Sequence, residues 1–260
     1  MCLLVLGWQV HPRYRLVVAA NRDEFHERPT AAMGKWAPPD DDIIAGRDLR
    51  AGGTWLAMDR ARRFGVITNF RELQRPSPDA PSRGGLIPSY LRNPAGAGEY
   101  LRQLQPVARE YSGFNLLLMD DTSLWYASNR SEQFARPLSP GIYGLSNQYL
   151  DTPWPKLLRV RRRFDALVMQ SGEISKSELL TILADPTQAG TNEALPDTGL
   201  SPEWEQLLSS PFVRNDEYGT RCSSLVLLEY SGALSLQERR FDSLGSPTSD
   251  TELTFHPDGW

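Results

Sequence analysis

The sequence predicts an α+β fold in one domain spanning residues 1–260. Three observations carry that expectation. Runs rich in β-branched and aromatic residues come in groups, helical runs come in separate groups between them, and the alternation lacks the regular βαβ rhythm of a parallel sheet. A chain of 260 residues is close to the size at which a single core stops growing.

Taken in order, "CLLVLGW" (2–8) and "YRLVVAAN" (14–21) read as strands joined by "QVHPR", whose Pro12 marks a turn. "GTWLAMD" and "RFGVITNF" flank "RARR" as a second hairpin. The stretch between the pairs, "ERPTAAMGKWAPPDDDIIAGRDLRAGG", is full of Pro and Gly and reads as a long irregular segment lining a pocket. Its Asp40, Asp41 and Asp42 read as a solvated charge run, since consecutive carboxylates converge poorly on a metal. Gly52 and Gly53 fit a tight turn or a close approach better than a phosphate loop.

Helices follow. Ser82 is placed to cap "RGGLIPSYLRN", with Pro88 expected to kink it, and "AGEYLRQL" comes next. Strands return as "GFNLLLMD", "SLWYASN" and "GIYGLSN". "PWPKLLRVRRRFDALVMQ" is a longer helix with Pro155 in its first turn, "KSELLTILAD" ends before Pro186, and "SPEWEQLLSS" is a short third helix. "SSLVLLEY" and "ALSLQERRF" close the chain as a hairpin about Ser231 and Gly232, and no internal repeat is visible.

Composition narrows the function. A formal charge of −4 gives no general attraction to nucleic acid or anionic lipid. The basic run "RVRRRF", with Arg159, Arg161, Arg162 and Arg163, spreads around a helix and reads as a solvated surface, so no nucleic-acid partner is expected. The two cysteines, Cys2 and Cys222, stand in no ligand spacing, which argues against a disulfide framework, a structural metal or attached haem. "CLLVLGW" is too short for a signal peptide core or a membrane span. A cytoplasmic protein without a metal or resident cofactor is the expectation.

Four stretches end apolar strands with Asn or Arg: "AANRDEFHERP" (19–29), "GVITNF" (65–70), "LSNQYLDTPW" (145–154) and "YGTRCSS" (218–224). Removal of Met1 would make Cys2 the chain terminus, with a thiol and a free α-amine on one residue. If Met1 stays, Cys2 is a small apolar residue heading a strand.

"MC" at the start, "NRDE" at 21–24, "GGTWLA" at 52–57, "TNFR" at 68–71, "LSN" at 145–147 and "YGTR" at 218–221 resemble the NRDE family, also called the transport-and-Golgi-organisation protein 2 family. That family is in turn similar, more distantly, to the N-terminal-nucleophile hydrolases of the choloylglycine and penicillin V acylase type, which cleave linear amides. The resemblance implies a four-layer αββα sandwich. It implies hydrolysis of a small acyl amide through a Cys2 thioester, with Arg22 and Arg221 favouring the thiolate, Asp23 orienting the α-ammonium, and Asn69 and Asn147 serving the oxyanion. The family's links to haem trafficking and acyl-lipid handling imply an alternative, a carrier binding haem, an acyl lipid or another apolar carboxylate in the same pocket.

In one respect the chain departs from the hydrolase pattern. There two residues separate the Arg from the Asp, whereas Arg22 and Asp23 are adjacent. On a regular strand Arg22 would share a face with Glu24 and Asp23 with Asn21, so a bulge or the strand end would have to unite Arg22 with Asp23, or Glu24 would be the site carboxylate. Each residue also has a plainer reading: a structural Arg22–Asp23 pair, Asn69 and Asn147 holding turns, Arg221 flanking a strand, His26 as a polar turn residue, and Cys222 as a core thiol.

Overall fold

The computed structural model describes residues 2–72, 80–191, 193–257 and 259–260; of Cys2 it describes the backbone, and the side chain on which the nucleophile reading falls lies outside the described residues. In chain order the strands are β1 (Cys2–Trp8), β2 (Tyr14–Phe25), β3 (Thr30–Lys35), β4 (Ile43–Asp48), β5 (Leu56–Asp59), β6 (Phe64–Asn69), β7 (Phe114–Met119), β8 (Leu124–Ser128), β9 (Ala135–Leu138), β10 (Gly141–Leu145), β11 (Tyr218–Glu229), β12 (Leu234–Phe241) and β13 (Pro247–Phe255). The helices are α1 (Leu86–Arg92), α2 (Ala97–Leu104), α3 (Pro155–Val168), α4 (Lys176–Leu183) and α5 (Pro202–Leu207). The protein is α+β, with two antiparallel sheets. It divides into two compact units, the first made of Met1–Glu27, Pro140–Ser146 and Leu150–Trp260, the second of Arg28–Ser139 and Asn147–Tyr149.

The first unit holds a six-stranded sheet in the order β10-β1-β2-β11-β12-β13. On one face Leu3, Val5, Val17, Ala19, Leu225 and Leu227 form a core with Leu157, Val160 and Phe164 of α3 and Leu179 and Leu183 of α4. On the other face Leu4, Leu6, Leu16, Val18, Val226 and Leu228 are buried as well. Burial on both faces is the reason β1 and β2 read as unbroken apolar runs rather than alternating ones. The hairpin of β11 and β12 turns at Gly232, whose φ of 89° suits glycine.

The second unit holds a seven-stranded meander, β3 through β9 in sequence order. One face packs Ile43, Ala45, Ala57, Ile67, Leu116 and Leu118 against Ile87, Tyr90 and Leu91 of α1 and Leu101 and Leu104 of α2. Each unit thus carries one sheet with helices on one face.

Several elements differ from the sequence reading. Much of the stretch from Glu27 to Gly53 is a hairpin, β3 paired with β4, rather than irregular chain. Apart from Thr30, "TAAMGK" is built from residues with no marked strand preference, so the local signal for the strand is weak. Ser82 starts a 3₁₀ turn at Arg83–Gly85 without a side-chain cap. Pro88 falls in the first turn of α1, where a missing N–H costs little, so it does not break the helix. The edge strands β9 and β13 were not foreseen; both are largely exposed, and each carries a proline, Pro137 and Pro247.

Pro155 does occupy the first turn of α3. Arg159, Arg161 and Arg163 pair with Glu193, Asp151 and Asp185. Gly52 has a φ of 76°, and a Cβ on Gly53 would lie 2.3 Å from the backbone of Gly84. The "GGTW" glycines therefore serve a turn and a close approach, held by Thr54 N–H donating to the Gly84 carbonyl at 3.0 Å. Among the described residues no helix is long and apolar enough to cross a membrane.

Candidate functional site

The end of β2 organises the first unit's share of the candidate residues. In the β1–β2 register Cys2 stands opposite Arg22, and in the β2–β11 register Cys222 stands opposite Arg22. Asp23 pairs with Thr220, so the register shifts between Thr220 and Cys222 and leaves Arg221 as an extra residue. A bulge of this kind sets two residues of one strand against one of its partner and re-aims the side chain it displaces. The bulge exists, but on β11 rather than on β2.

As a result β2 keeps its alternation, and Arg22 and Asp23 are not drawn onto one face. Arg22 shares its face with Glu24, and their Nη2 and Oε2 atoms lie 3.5 Å apart. Both are shielded, Arg22 almost completely. The acidic partner of Arg22 across the strand pleat is therefore Glu24.

Asp23 lies on the face that α3 and α4 cover, beside Asn21. The amide of Asn21 donates to the carbonyls of Leu183 and Pro211 at 2.8 and 2.9 Å, and its Oδ1 accepts from the Ser223 hydroxyl at 2.6 Å. Asn21 thus ties β2 to the end of α4 and to the segment before β11. Asp23 is 1% exposed and accepts a 2.7 Å hydrogen bond from the Thr220 hydroxyl. Thr220 in turn accepts from the Val213 N–H at 2.9 Å. Burial pushes the Asp23 carboxyl above its ordinary range, opposed by Lys156, the Thr220 hydroxyl and Arg22.

Lys156 was missed in the sequence. It sits in the first turn of α3 and is 1% exposed. The signal was present, since Lys156 precedes Val160, Phe164 and Leu167 at helical spacing and so lies on the apolar stripe of α3.

Arg221 donates from Nη1 to the carbonyls of Phe25 and His26, both at 2.9 Å, and so closes the end of β2. Burial lowers its pKa, and the neighbouring guanidinium groups of Arg22 and Arg240 lower it further. His26 is a turn residue: its N–H donates to the Glu217 carbonyl, and Nε2 is 2.9 Å from the Asn215 carbonyl. Cys222 is a buried thiol whose pKa burial raises well above the usual value, which makes it a poor nucleophile.

In the second unit Asn69 ends β6 and Asn147 lies beside it. The Asn147 amide donates to the Asn69 carbonyl at 3.0 Å, and the Arg71 N–H donates to the Asn147 carbonyl at 2.7 Å. Asn115 extends this polar cluster, donating to the Gln148 carbonyl at 2.8 Å and accepting from the Tyr126 hydroxyl at 2.8 Å. Asn147 is fully buried and Asn69 only partly so. Asp40 is held by the guanidinium of Arg92, and Asp42 lies 3.9 Å from Arg60. Among the described residues no group of three His, Cys, Asp or Glu side chains is placed to hold a metal ion.

Two antiparallel sheets, one carrying the "NRDE" strand end against a bulged "YGTR" strand and the other carrying paired Asn residues, define an α+β protein with polar clusters at its strand ends. The family model described as Transport and Golgi organisation 2 matches residues 1–243, and the chain belongs to that family. It is 33% identical over 258 residues to the Transport and Golgi organization 2 homolog of Mus musculus, covering 92% of each chain. To the Bos taurus homolog it is 30% identical over 275 residues, covering 98% of each. To the Drosophila melanogaster protein it is 27% identical, covering 94% of this chain and 93% of the relative. Among solved structures it is similar to a Caenorhabditis elegans ortholog of N-acylethanolamine-hydrolyzing acid amidase, with 9% identity, a TM-score of 0.45, and coverage of 87% of this chain and 92% of that one.

Proposed function

We propose that this protein is a cytoplasmic cysteine hydrolase of the N-terminal-nucleophile class, cleaving a linear amide of a small acylated compound through a thioester on Cys2. The observation that carries the reading is the cross-strand row at the end of β2, where the backbone of Arg22 stands opposite that of Cys2 and the bulge brings Arg221 near Arg22. A free thiol, with a pKa of about 8.5, is mostly protonated at neutral pH, and adjacent guanidinium groups favour the thiolate.

In this reading Met1 is removed and the α-amine of Cys2 takes the thiol proton. The sulfur attacks the amide carbon, the amine departs with that proton, and water then cleaves the thioester to release the acid and restore the thiol. Asp23 orients the ammonium by hydrogen bonding. The family resemblance assigns oxyanion donation to Asn69 and Asn147, and removal of one such donor lowers kcat by roughly 10²–10³. The test is a screen of acyl amides with wild-type protein and Cys2→Ala. Turnover that Cys2→Ala abolishes supports the reading, and turnover that survives the substitution contradicts it.

A second reading, a carrier of an acyl lipid, haem or another apolar carboxylate, draws on the mutual proximity of Arg22, Arg221 and Arg240, which suits an anionic ligand group. Haemin titration separates the two readings, because a sharp Soret shift that Cys2→Ala removes favours the carrier.

A further inference from the structure

An ammonium group inside an apolar core is costly unless an opposite charge or hydrogen bonds compensate it. Lys156 is such a group. It projects from the first turn of α3 on the stripe that packs on β1 and β2 through Leu157, Val160 and Phe164. That helix-covered face is also the face of Asp23, and both residues are 1% exposed. A buried cation and a buried anion on facing elements are the arrangement in which each makes the other tolerable.

We propose that Lys156 is the buried counter-charge of Asp23 and acts as a positioning residue for that carboxylate, a role that rests on the hydrolase reading above. The charged and polar groups acting on Asp23 come from several elements packed around it: Lys156 from α3, the Thr220 hydroxyl from β11 and Arg22 from its own strand. Lys156 opposes the upward push that burial exerts on the Asp23 carboxyl, so its loss leaves Asp23 taking up a proton at higher pH. An uncharged Asp23 no longer favours the Cys2 ammonium, and the thiolate that pairs with the ammonium is lost with it.

The test uses the full-length protein as wild type, Lys156→Met, Asp23→Asn and the double variant, with Lys156→Arg as the charge-keeping control. Guanidinium denaturation midpoints give the first readout. The double variant is expected to lose less than the two single variants combined, because each single variant strands the other's charge. Additive losses overturn the proposal. If Lys156→Met does not fold, a double variant that does is the expected non-additivity, and a double variant that also fails while Asp23→Asn folds overturns the proposal.

The pH profile of iodoacetamide labelling at Cys2 gives the second readout. Lys156→Met is expected to displace its acid limb to higher pH, and Lys156→Arg to restore the wild-type limb. Non-additive midpoints with an unmoved limb in Lys156→Met overturn the positioning role and leave a structural pair. A wild-type Cys2 that does not label at all contradicts the hydrolase reading instead, and the midpoints then still decide the pairing.

Discussion

Thr220 donates its hydroxyl to the carboxylate of Asp23 at 2.7 Å, from the position on β11 just before the bulge. The register shift therefore does two things at once: it keeps Thr220 on the Asp23 face and turns the next residue, Arg221, toward the end of β2. Thr220→Val removes the donor and leaves a buried carboxylate oxygen short of a partner. The expected loss is about 1–3 kcal/mol of stability, read from denaturation midpoints.

Asp23 also sets a pH dependence. Its folded-state pKa is raised, so its favourable contribution is complete below the unfolded Asp value of about 3.9 and is lost as pH rises from there through the folded value. Asp23→Asn is expected to flatten this part of the stability profile above pH of about 4. Denaturation midpoints of wild type and variant, compared across the acid range, check it.

The two cysteines are expected to differ in reactivity. Cys222 is buried with a raised pKa, whereas the proposed hydrolase reading makes Cys2 an activated thiol with a free α-amine on the same residue. Iodoacetamide should label Cys2 much faster than Cys222 in folded protein, and the difference should narrow sharply in denaturant, where only the adjacent α-amine still favours the Cys2 thiolate. Peptide mass analysis after a timed quench reads it.

Gly53 offers a test of the fold alone. A Cβ there would stand 2.3 Å from the Gly84 backbone, and neither chain can yield without moving its neighbours. Gly53→Ala is expected to cost about 1–3 kcal/mol, comparable with overpacking a core, whereas Gly85→Ala meets nothing within 4 Å and should cost far less. Thermal or chemical denaturation of the two variants decides it.

These predictions rest on elements of unequal legibility. The β1–β2 and β11–β12 hairpins and α3 could be read directly, because apolar runs, a turn proline and a first-turn proline are local signals. The β3–β4 hairpin could not, since small residues and a Pro-Pro break gave no local period, although β4 also pairs with β5. The edge strands β9 and β13 hid for a related reason, being exposed and free of apolar patterning.

At the candidate site, alternation along β2 correctly predicted that Arg22 faces with Glu24 and Asp23 with Asn21. Where the bulge would fall was not readable, because register between β2 and β11 joins residues about 200 positions apart. Lys156 was readable in principle as a charge on an apolar stripe, but a lysine in the first turn of a helix also reads as solvent-facing.

The central claim is that Cys2 carries a free amine next to its thiol, and the intact mass of native protein expressed without an amino-terminal tag tests it most directly. The account predicts a mass equal to the sequence without Met1. A homogeneous product that retains Met1 would block the amine and contradict it.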